Sequence, residues 1–332
     1  MKIAIFSTKP FEKPFLEAAN SQGHELTFFA EPLSPSTVEK TKGFKAVSIF
    51  TNDDGSAKVL SRLAENKVEY IASRCAGIDN IDLAAAASHG IKVANVPGYS
   101  PYSIAEHAVA MIMAMNRKIV RADRKVKDYD FRLDDLIGFD LNGKTAGIIG
   151  AGKIGGIVVK ILHGFGCRVL AFDPVENEEL VNKYGLKYVS LDELCSQADI
   201  ISIHAPLNQH TRYMINESRL SLMKDGVMIV NTGRGPVLDT KAAVEGLKSG
   251  KIGYLGLDVY EYEKGLFFFD HTKDIPQDDL FARLLSFKNV LITGHQAFLT
   301  SNALTNIADT TFYNLNCWSN NNTSENEVSN KL

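Results

Sequence analysis

The sequence predicts an α/β protein built on doubly wound, mostly parallel sheets. Three observations carry this. Short apolar runs recur along the chain, each followed by residues with helical spacing of apolar positions. The alternation occurs twice, on either side of a break marked by Pro97, Gly98 and Pro101. Between residues 145 and 173 it takes the form strand, glycine-rich turn, helix, strand. At 332 residues the chain has room for about two domains.

In order, residues 2–6 read as a first strand, and Pro10 and Pro14 open a helix running to about residue 21. Strands are predicted at 25–29, 46–50, 70–74 and 92–95, with helical patterns at 57–66 and 83–88 between them. A long helix over 103–127 then leads from one domain to the next. Its basic end, residues 117–127 with Arg121, Arg124 and Lys125, reads as a solvated helix face rather than a polyanion site. The second alternation has strands at 145–149, 168–172, 200–204, 227–231, 254–258 and 290–293. Helices are predicted at 178–184, 191–197, 217–223 and 240–249, with a last one over 301–318. From residue 319 Asn and Ser dominate, which predicts a disordered tail.

The bulk composition excludes several classes of function. A formal net charge of −3 argues against nucleic acid or an anionic membrane as partner. No apolar run approaches the ~18 residues of a membrane span. The first residues lack the long apolar core of a signal peptide. Cys75, Cys167, Cys195 and Cys317 form no C-x-x-C pair, so free thiols fit better than disulfides or a metal site. These features predict a cytoplasmic protein without a metal.

Residues 145–173 carry the most specific signal. An apolar run ends at Gly150, and Gly150, Gly152 and Gly155 fill a G-x-G-x-x-G pattern. Ile154, Ile157, Val158, Ile161 and Leu162 follow at helical spacing, and the next apolar run ends at Asp173. Gly150 permits the tight turn, Gly152 lets backbone approach a pyrophosphate, and Gly155 lets the helix pack on the strand. The helix start offers free N–H groups and a positive dipole end to phosphates. Asp173 can accept hydrogen bonds from the adenosine ribose. This context predicts a dinucleotide site.

In open α/β sheets ligands bind beyond the carboxyl ends of the strands, so the residues following each strand are the candidates for chemistry. One rim collects Ala205 and Pro206, then Thr232, Gly233 and Arg234, then Glu261 and Glu263, then His295. Arg234 lies between two glycines, and a guanidinium binds a carboxylate through two parallel hydrogen bonds. His295 at a strand end becomes a proton donor if a carboxylate lies near it. Spacing alone does not choose between Glu261 and Glu263 for that role.

The segments DNIDLAAAASHGIKVANVPGYSPYSIAEHAV, GIIGAGKIG, IVNTGRG, LGLDVYEYE and TGHQAFLT together resemble the D-isomer-specific 2-hydroxyacid dehydrogenases, from residue 1 to about 318. RCAGIDNIDL, VPGYSP, LFFFD and GHQAFLT are similar to its fermentative D-lactate dehydrogenase branch. The resemblance implies a flavodoxin-like substrate domain of residues 1–100 and 299–332, with a Rossmann-type NAD domain of residues 101–298 inserted between. The active site would lie in the cleft. It implies catalytic roles for Arg234, Glu263 and His295. Lys153 and Ile154 match pyrophosphate contacts, while Ala205, Pro206, Thr211, Thr232 and Gly233 match further cofactor contacts. Asp258 would face the nicotinamide side. Ala76 and Gly77 match amides that hold a substrate carboxylate, and Tyr99 and Phe298 match pocket walls. Gly233 stands where relatives often carry Ser or Ala, which should loosen the loop bearing Arg234. Lys153 replaces the more usual Arg or His but keeps a cation near phosphate.

The implied activity is NADH-dependent reduction of pyruvate to D-lactate, with His295 as proton donor, in a homodimer or higher homo-oligomer. A larger 2-oxo acid as substrate is the nearest alternative. A NAD-sensing regulatory binding protein on the same fold is a remoter one. A structural role for the apolar LFFFD segment, packed at a subunit or domain contact, is a third.

Overall fold

The computed structural model describes residues 1–328, which divide into two compact units, one made of residues 1–100 and 299–328 and the other of Pro101–Phe298. In the first unit β1 (Lys2–Ile5), α1 (Lys13–Ala19), β2 (Glu25–Phe28), β3 (Ala46–Ile49) and α2 (Ala57–Glu65) are followed by β4 (Tyr70–Ser73), α3 (Leu83–Ser88) and β5 (Lys92–Ala94). All pairings are parallel, in the order β2-β1-β3-β4-β5. This is the flavodoxin-like order, with its switch point between β1 and β3.

The second unit begins with α4 (Pro101–Asn116), α5 (Ile119–Lys127), β6 (Thr145–Ile149), α6 (Lys153–Gly164) and β7 (Arg168–Phe172). Next come α7 (Glu178–Tyr184), β8 (Lys187–Tyr188), α8 (Leu191–Gln197), β9 (Ile200–Ile203), α9 (Glu217–Leu222) and β10 (Val227–Asn231). It closes with α10 (Thr240–Ser249), β11 (Ile252–Leu257), α11 (Asp279–Ser286) and β12 (Val290–Ile292), after which α12 (Ser301–Ser319) returns to the first unit. The sheet is parallel throughout, in the order β12-β11-β10-β9-β6-β7-β8. That is the Rossmann order extended by one strand, with the switch point between β6 and β9.

Local chemistry explains the elements. β3, β4, β6, β9 and β10 are buried at every position, as parallel strands covered on both faces must be. Helix starts carry their caps: Asp82 accepts from the Ala85 amide, Ser190 from Glu193, Asp239 from Lys241 and Ala242, and Thr300 from Ala303. In the first unit Phe6, Val47, Leu60 and Leu63 fill one face of the sheet. Ile3, Ile5, Leu16, Phe312 and Leu315 fill the other, where Trp318, 1% exposed, stacks on Tyr70 at 4.9 Å. In the second unit α4 and α6 cover one face through Ile112, Val158 and Leu162, and Leu194, Leu220, Val244 and Leu247 cover the other.

Three sequence expectations need correction. The helix expected over 103–127 is two helices, broken at Lys118, whose φ is +52°. Long-range bonds hold the break: the Asn116 side chain bonds both the amide and the carbonyl of Phe139, and Lys118 Nζ donates to the Tyr254 hydroxyl. α11 and the short β8 were not expected. The tail expected to be disordered from residue 319 is built into the first unit as far as Val328. Glu327 is buried and accepts from Trp318 Nε1 at 2.7 Å, Ser324 donates to Asn314, and the Val328 amide bonds to Val93. Polar composition did not predict disorder because these polar groups are satisfied inside the protein. The rest of that expectation, residues 329–332, lies outside the described residues.

Candidate active site

Because every strand of the second unit is parallel, the segments following β6, β9, β10, β11 and β12 emerge on one edge of the sheet. After β6, Gly150 turns at φ +87°, and a Cβ on Gly155 would stand 1.9 Å from the Gly150 carbonyl oxygen. Only glycine lets α6 start this close to its strand. Open space surrounds the Gly152 Cα, at the helix start where Lys153 and Ile154 follow. The Asp173 carboxylate accepts from the Ala151 amide at 2.8 Å and from the Val175 amide at 2.9 Å, which pins the end of β7 to the glycine turn. A cavity of about 640 Å³ opens here, bounded among others by Gly150, Asp173, Ala205, Pro206 and Thr211. Thr211 donates to the Pro206 carbonyl at 2.6 Å. An open glycine turn, a helix N-terminus and an acid on one cavity fit a dinucleotide.

His204, at the end of β9, places its ring between Ser202 Oγ at 2.8 Å and Thr232 Oγ1 at 3.5 Å. Burial pushes its pKa down to about 4, so the ring is neutral at pH 7.

The loop after β10 is pinned by a residue the sequence reading missed. Asn231, fully buried, accepts from the Gly233 amide at 3.0 Å and donates to the Arg234 carbonyl at 3.0 Å. The looseness expected from Gly233 therefore has a counterweight. Arg234 Nη1 also donates to the Gly233 carbonyl at 2.9 Å. A Cβ on Gly235 would lie 2.3 Å from the Tyr260 backbone, so this loop abuts the one after β11.

That second loop carries both candidate carboxylates, and they point to different partners. Glu263 Oε1 lies 2.8 Å from His295 Nδ1, and its Oε2 accepts from the Tyr260 amide at 3.0 Å. Glu261 is taken by the Tyr213 hydroxyl and by the Thr240 amide at 3.3 Å. The His295 and Glu263 side chains are 21% and 23% exposed, so the pair is partly screened from water without being sealed.

Asp258 is wholly buried, and its carboxylate is committed within the protein. It accepts from Thr293 Oγ1 at 2.6 Å, from the Gln296 amide at 2.8 Å and from the Ala297 amide at 3.0 Å, with His107 Nε2 at 3.4 Å. Burial alone would raise its pKa, but the bonds from His107, Thr293 and the two amides outweigh that and hold it below the ordinary carboxylate value. The Asp258 carbonyl in turn accepts the His295 amide at 2.7 Å, and His295 sits at φ +54°. Asp258 is thus the clamp of the turn that presents His295. His107 and Thr293 support it; both lie in segments that carry the family resemblance, but neither had a role assigned from sequence.

Of the remaining candidates, Phe298 is buried in the second unit, while Ala76, Gly77 and Tyr99 belong to the first, where the Tyr99 carbonyl accepts from Asn306. Arg74, immediately before that turn, is buried and forms a paired bond to Glu12 at 3.0 and 3.1 Å. The basic face of α5 is solvated, as expected: none of its residues is buried, and Arg121 pairs with Asp135, Lys125 with Asp130 and Lys127 with Asp123. A cavity of about 530 Å³ beside it shares no residue with the site above. Leu266, Phe267 and Phe268 of the LFFFD segment pack on the core of their own unit. Among the described residues no helix is long and apolar enough to cross a membrane, and no cluster of metal-ligating side chains occurs.

Comparison with known proteins agrees with this architecture. Residues 109–297 match the family model for the D-isomer specific 2-hydroxyacid dehydrogenase, NAD binding domain. The D-lactate dehydrogenase of Escherichia coli (strain K12) is 51% identical over 316 residues, covering 95% of this chain and 96% of the relative. Among solved structures, D-lactate dehydrogenase from Aquifex aeolicus complexed with NAD and lactic acid superposes with a TM-score of 0.88, at 34% identity, covering 98% of this chain and 99% of that one. D-2-hydroxyisocaproate dehydrogenase gives 0.86 at 31% identity, covering 99% of this chain and 100% of that one. The chain belongs to the D-isomer specific 2-hydroxyacid dehydrogenases, NAD-dependent oxidoreductases.

Proposed function

We propose that the protein is a D-lactate dehydrogenase that reduces pyruvate with NADH, and that Arg234, Glu263 and His295 carry the reaction. The observation that carries the reading is the 2.8 Å contact between Glu263 and His295 on the strand edge that also holds Arg234. Arg234 binds the substrate carboxylate through its planar fork. With Nδ1 turned to Glu263, His295 holds the transferable proton at Nε2 and gives it to the ketone oxygen as that oxygen gains charge. Glu263 fixes the ring through that contact. NADH supplies the hydride that the carbonyl carbon receives. Neutral His295 then regains a proton from solvent.

Gly150, Gly152, Gly155, Lys153 and Ile154 are proposed to hold the pyrophosphate, Asp173 the ribose, and Ala205, Pro206, Thr211, Thr232 and Gly233 the rest of the cofactor. Ala76, Gly77 and Tyr99 of the first unit and Phe298 of the second are proposed substrate contacts, which makes the first unit the substrate domain. Asp258 acts here through the His295 turn. The E. coli relative is named a D-lactate dehydrogenase, which favours pyruvate over a larger 2-oxo acid. The decisive experiment is NADH oxidation on addition of pyruvate, compared with branched 2-oxo acids. Absence of turnover with any 2-oxo acid would leave NAD sensing as the better reading.

Four free thiols support a reducing compartment, which we take to be the cytoplasm. A homo-oligomer is favoured by Tyr129, Phe131, Leu133 and Ile137, apolar side chains 85%, 68%, 78% and 86% exposed within one short segment. A monomer by analytical ultracentrifugation would remove that part of the proposal.

A further inference from the structure

The site so far explains which carboxylate reaches His295, but one hydrogen bond does not fix an imidazole. The ring can still swing about its Nδ1–Glu263 contact, and the direction of Nε2 swings with it. What restrains that motion lies in the segment the chemistry has not yet used.

Phe268 has φ +70°. A bulky side chain in the left-handed region is a true outlier, and such strain persists only where the surroundings over-determine it. The surroundings here do. The amides of Leu266 and Phe267 both bond to the Glu263 carbonyl, at 2.9 and 3.0 Å. Tyr260, buried, donates its hydroxyl to Asp278 at 2.7 Å and packs on Phe281 at 5.1 Å between ring centroids. Phe267, also buried, meets the same Phe281 ring at 6.0 Å. The segment is therefore tied down on both sides of Glu263 and again at Phe267. The turn at Phe268 brings its ring 5.8 Å from the His295 ring, at 39° between planes. His295 itself is held at φ +54°. Two strained residues thus face each other, one bearing the proposed proton donor.

We propose that Phe268 is a positioning residue for His295, and that residues 260–268 hold the two partners of the Glu263–His295 pair in one geometry. Glu263 is oriented by the Tyr260 amide, and Phe268 limits the tilt of the imidazole that Glu263 binds. The Phe268 ring also takes a side of the pair away from water, which strengthens its electrostatics. This inference rests on the proposed reaction, in which Nε2 must point at the substrate oxygen.

The test compares Phe268→Leu, which removes the ring, with Phe268→Tyr, which keeps it. Each is measured for pyruvate reduction, for NADH binding by fluorescence titration, and for the primary isotope effect on kcat with NADH deuterated at the transferred position. A misplaced donor slows the chemical step, by about tenfold to a hundredfold for displacements near 1 Å. The expected result for Phe268→Leu is a fall in kcat of that size, an enlarged isotope effect and an unchanged NADH Kd, with Phe268→Tyr close to the parent. A merely structural role would lower the amount of active enzyme and leave the isotope effect alone, and that outcome overturns the proposal. So does a Phe268→Leu enzyme as active as the parent. If Phe268→Leu does not fold, Phe268→Gly carries the same test, because glycine accepts the positive φ without strain. A parent enzyme inactive on every 2-oxo acid would instead strike the proposed function, so the two failures are distinguishable.

Discussion

Replacing Glu263 by Gln tests the assignment of the carboxylate that the linear sequence leaves open. The amide keeps the size of the side chain, and its oxygen can still accept from His295 Nδ1 at the 2.8 Å seen for the carboxylate. What disappears is the charge. Two unit charges about 4 Å apart interact by about 4 kcal/mol at the effective dielectric of a protein surface, before the cost of desolvating them is subtracted. Both side chains are about one-fifth exposed, so solvent screens part of that. Hydrogen bonds to charged groups contribute about 1.5–3 kcal/mol in practice. Taking about 2–3 kcal/mol at 1.36 kcal/mol per tenfold, kcat/KM for pyruvate should fall about 30-fold to 150-fold. Glu261→Gln is the control, since Glu261 bonds to Tyr213 and to the Thr240 amide instead. The assay is steady-state NADH oxidation over a pH series for the three enzymes. Parent-like activity in Glu263→Gln, or a larger loss in Glu261→Gln, would refute the pairing.

Three further outcomes follow from the same geometry. Arg234→Lys keeps the charge but loses the fork, so kcat/KM for pyruvate should fall roughly tenfold to a hundredfold while the NADH Kd holds; near-normal turnover would place the carboxylate clamp elsewhere. Asp173 is tied at 2.8 and 2.9 Å to the Ala151 and Val175 amides, and in its proposed ribose role its negative charge would repel a 2′-phosphate. NADPH should therefore be disfavoured on the order of a hundredfold in kcat/KM, and equal use of both cofactors would contradict the ribose role. His204 has a folded-state pKa lowered to about 4 from 6.5, so the unfolded chain takes up its proton first as pH falls. Its contribution is therefore intact above pH 6.5 and lost between 6.5 and 4, by about 3 kcal/mol in denaturant unfolding, and His204→Gln should remove that part of the pH dependence.

The parts of the fold visible in the sequence are those that backbone packing writes into residue type. A side chain on Gly155 would overlap the Gly150 carbonyl, so the glycine spacing is enforced residue by residue. Strands such as Ile200–Ile203 and Val227–Asn231 are buried on both faces and show as mainly apolar runs, with Ser202 and Asn231 their polar members. The expected strands run one residue too long at Phe6, Phe29 and Phe50, where the side chain continues the apolar pattern after the strand has stopped, and also at Arg74, Asn95, His204, Asp258 and Thr293, polar residues that begin the loops after their strands. The helix break at Lys118 was not legible, since no glycine or proline marks it and the bonds that hold it come from residues 139 and 254. α11 was not predicted although Leu280, Phe281 and Leu284 stand at helical spacing; it is only eight residues long and Leu284 is its one fully buried side chain. The site divides the same way. Arg234 and His295 stand out by their glycine-flanked positions at strand ends. The direction of Glu263 against Glu261, the Asn231 clamp and the support of Asp258 by His107 and Thr293 depend on contacts between distant segments. The Phe268–His295 contact is likewise invisible in LFFFD, because it arises from a backbone angle rather than a residue type.

In the proposed reaction a hydride passes from NADH to the keto carbon of pyruvate and a proton from His295 to its oxygen. A turnover with NADH carrying deuterium at the transferred position, followed by chiral analysis and mass spectrometry of the product, follows both. The expected product is lactate of D configuration with deuterium at C2, made by the parent enzyme and strongly reduced when His295 is replaced by Gln. Lactate without the label, lactate of L configuration, or undiminished turnover in His295→Gln would contradict it.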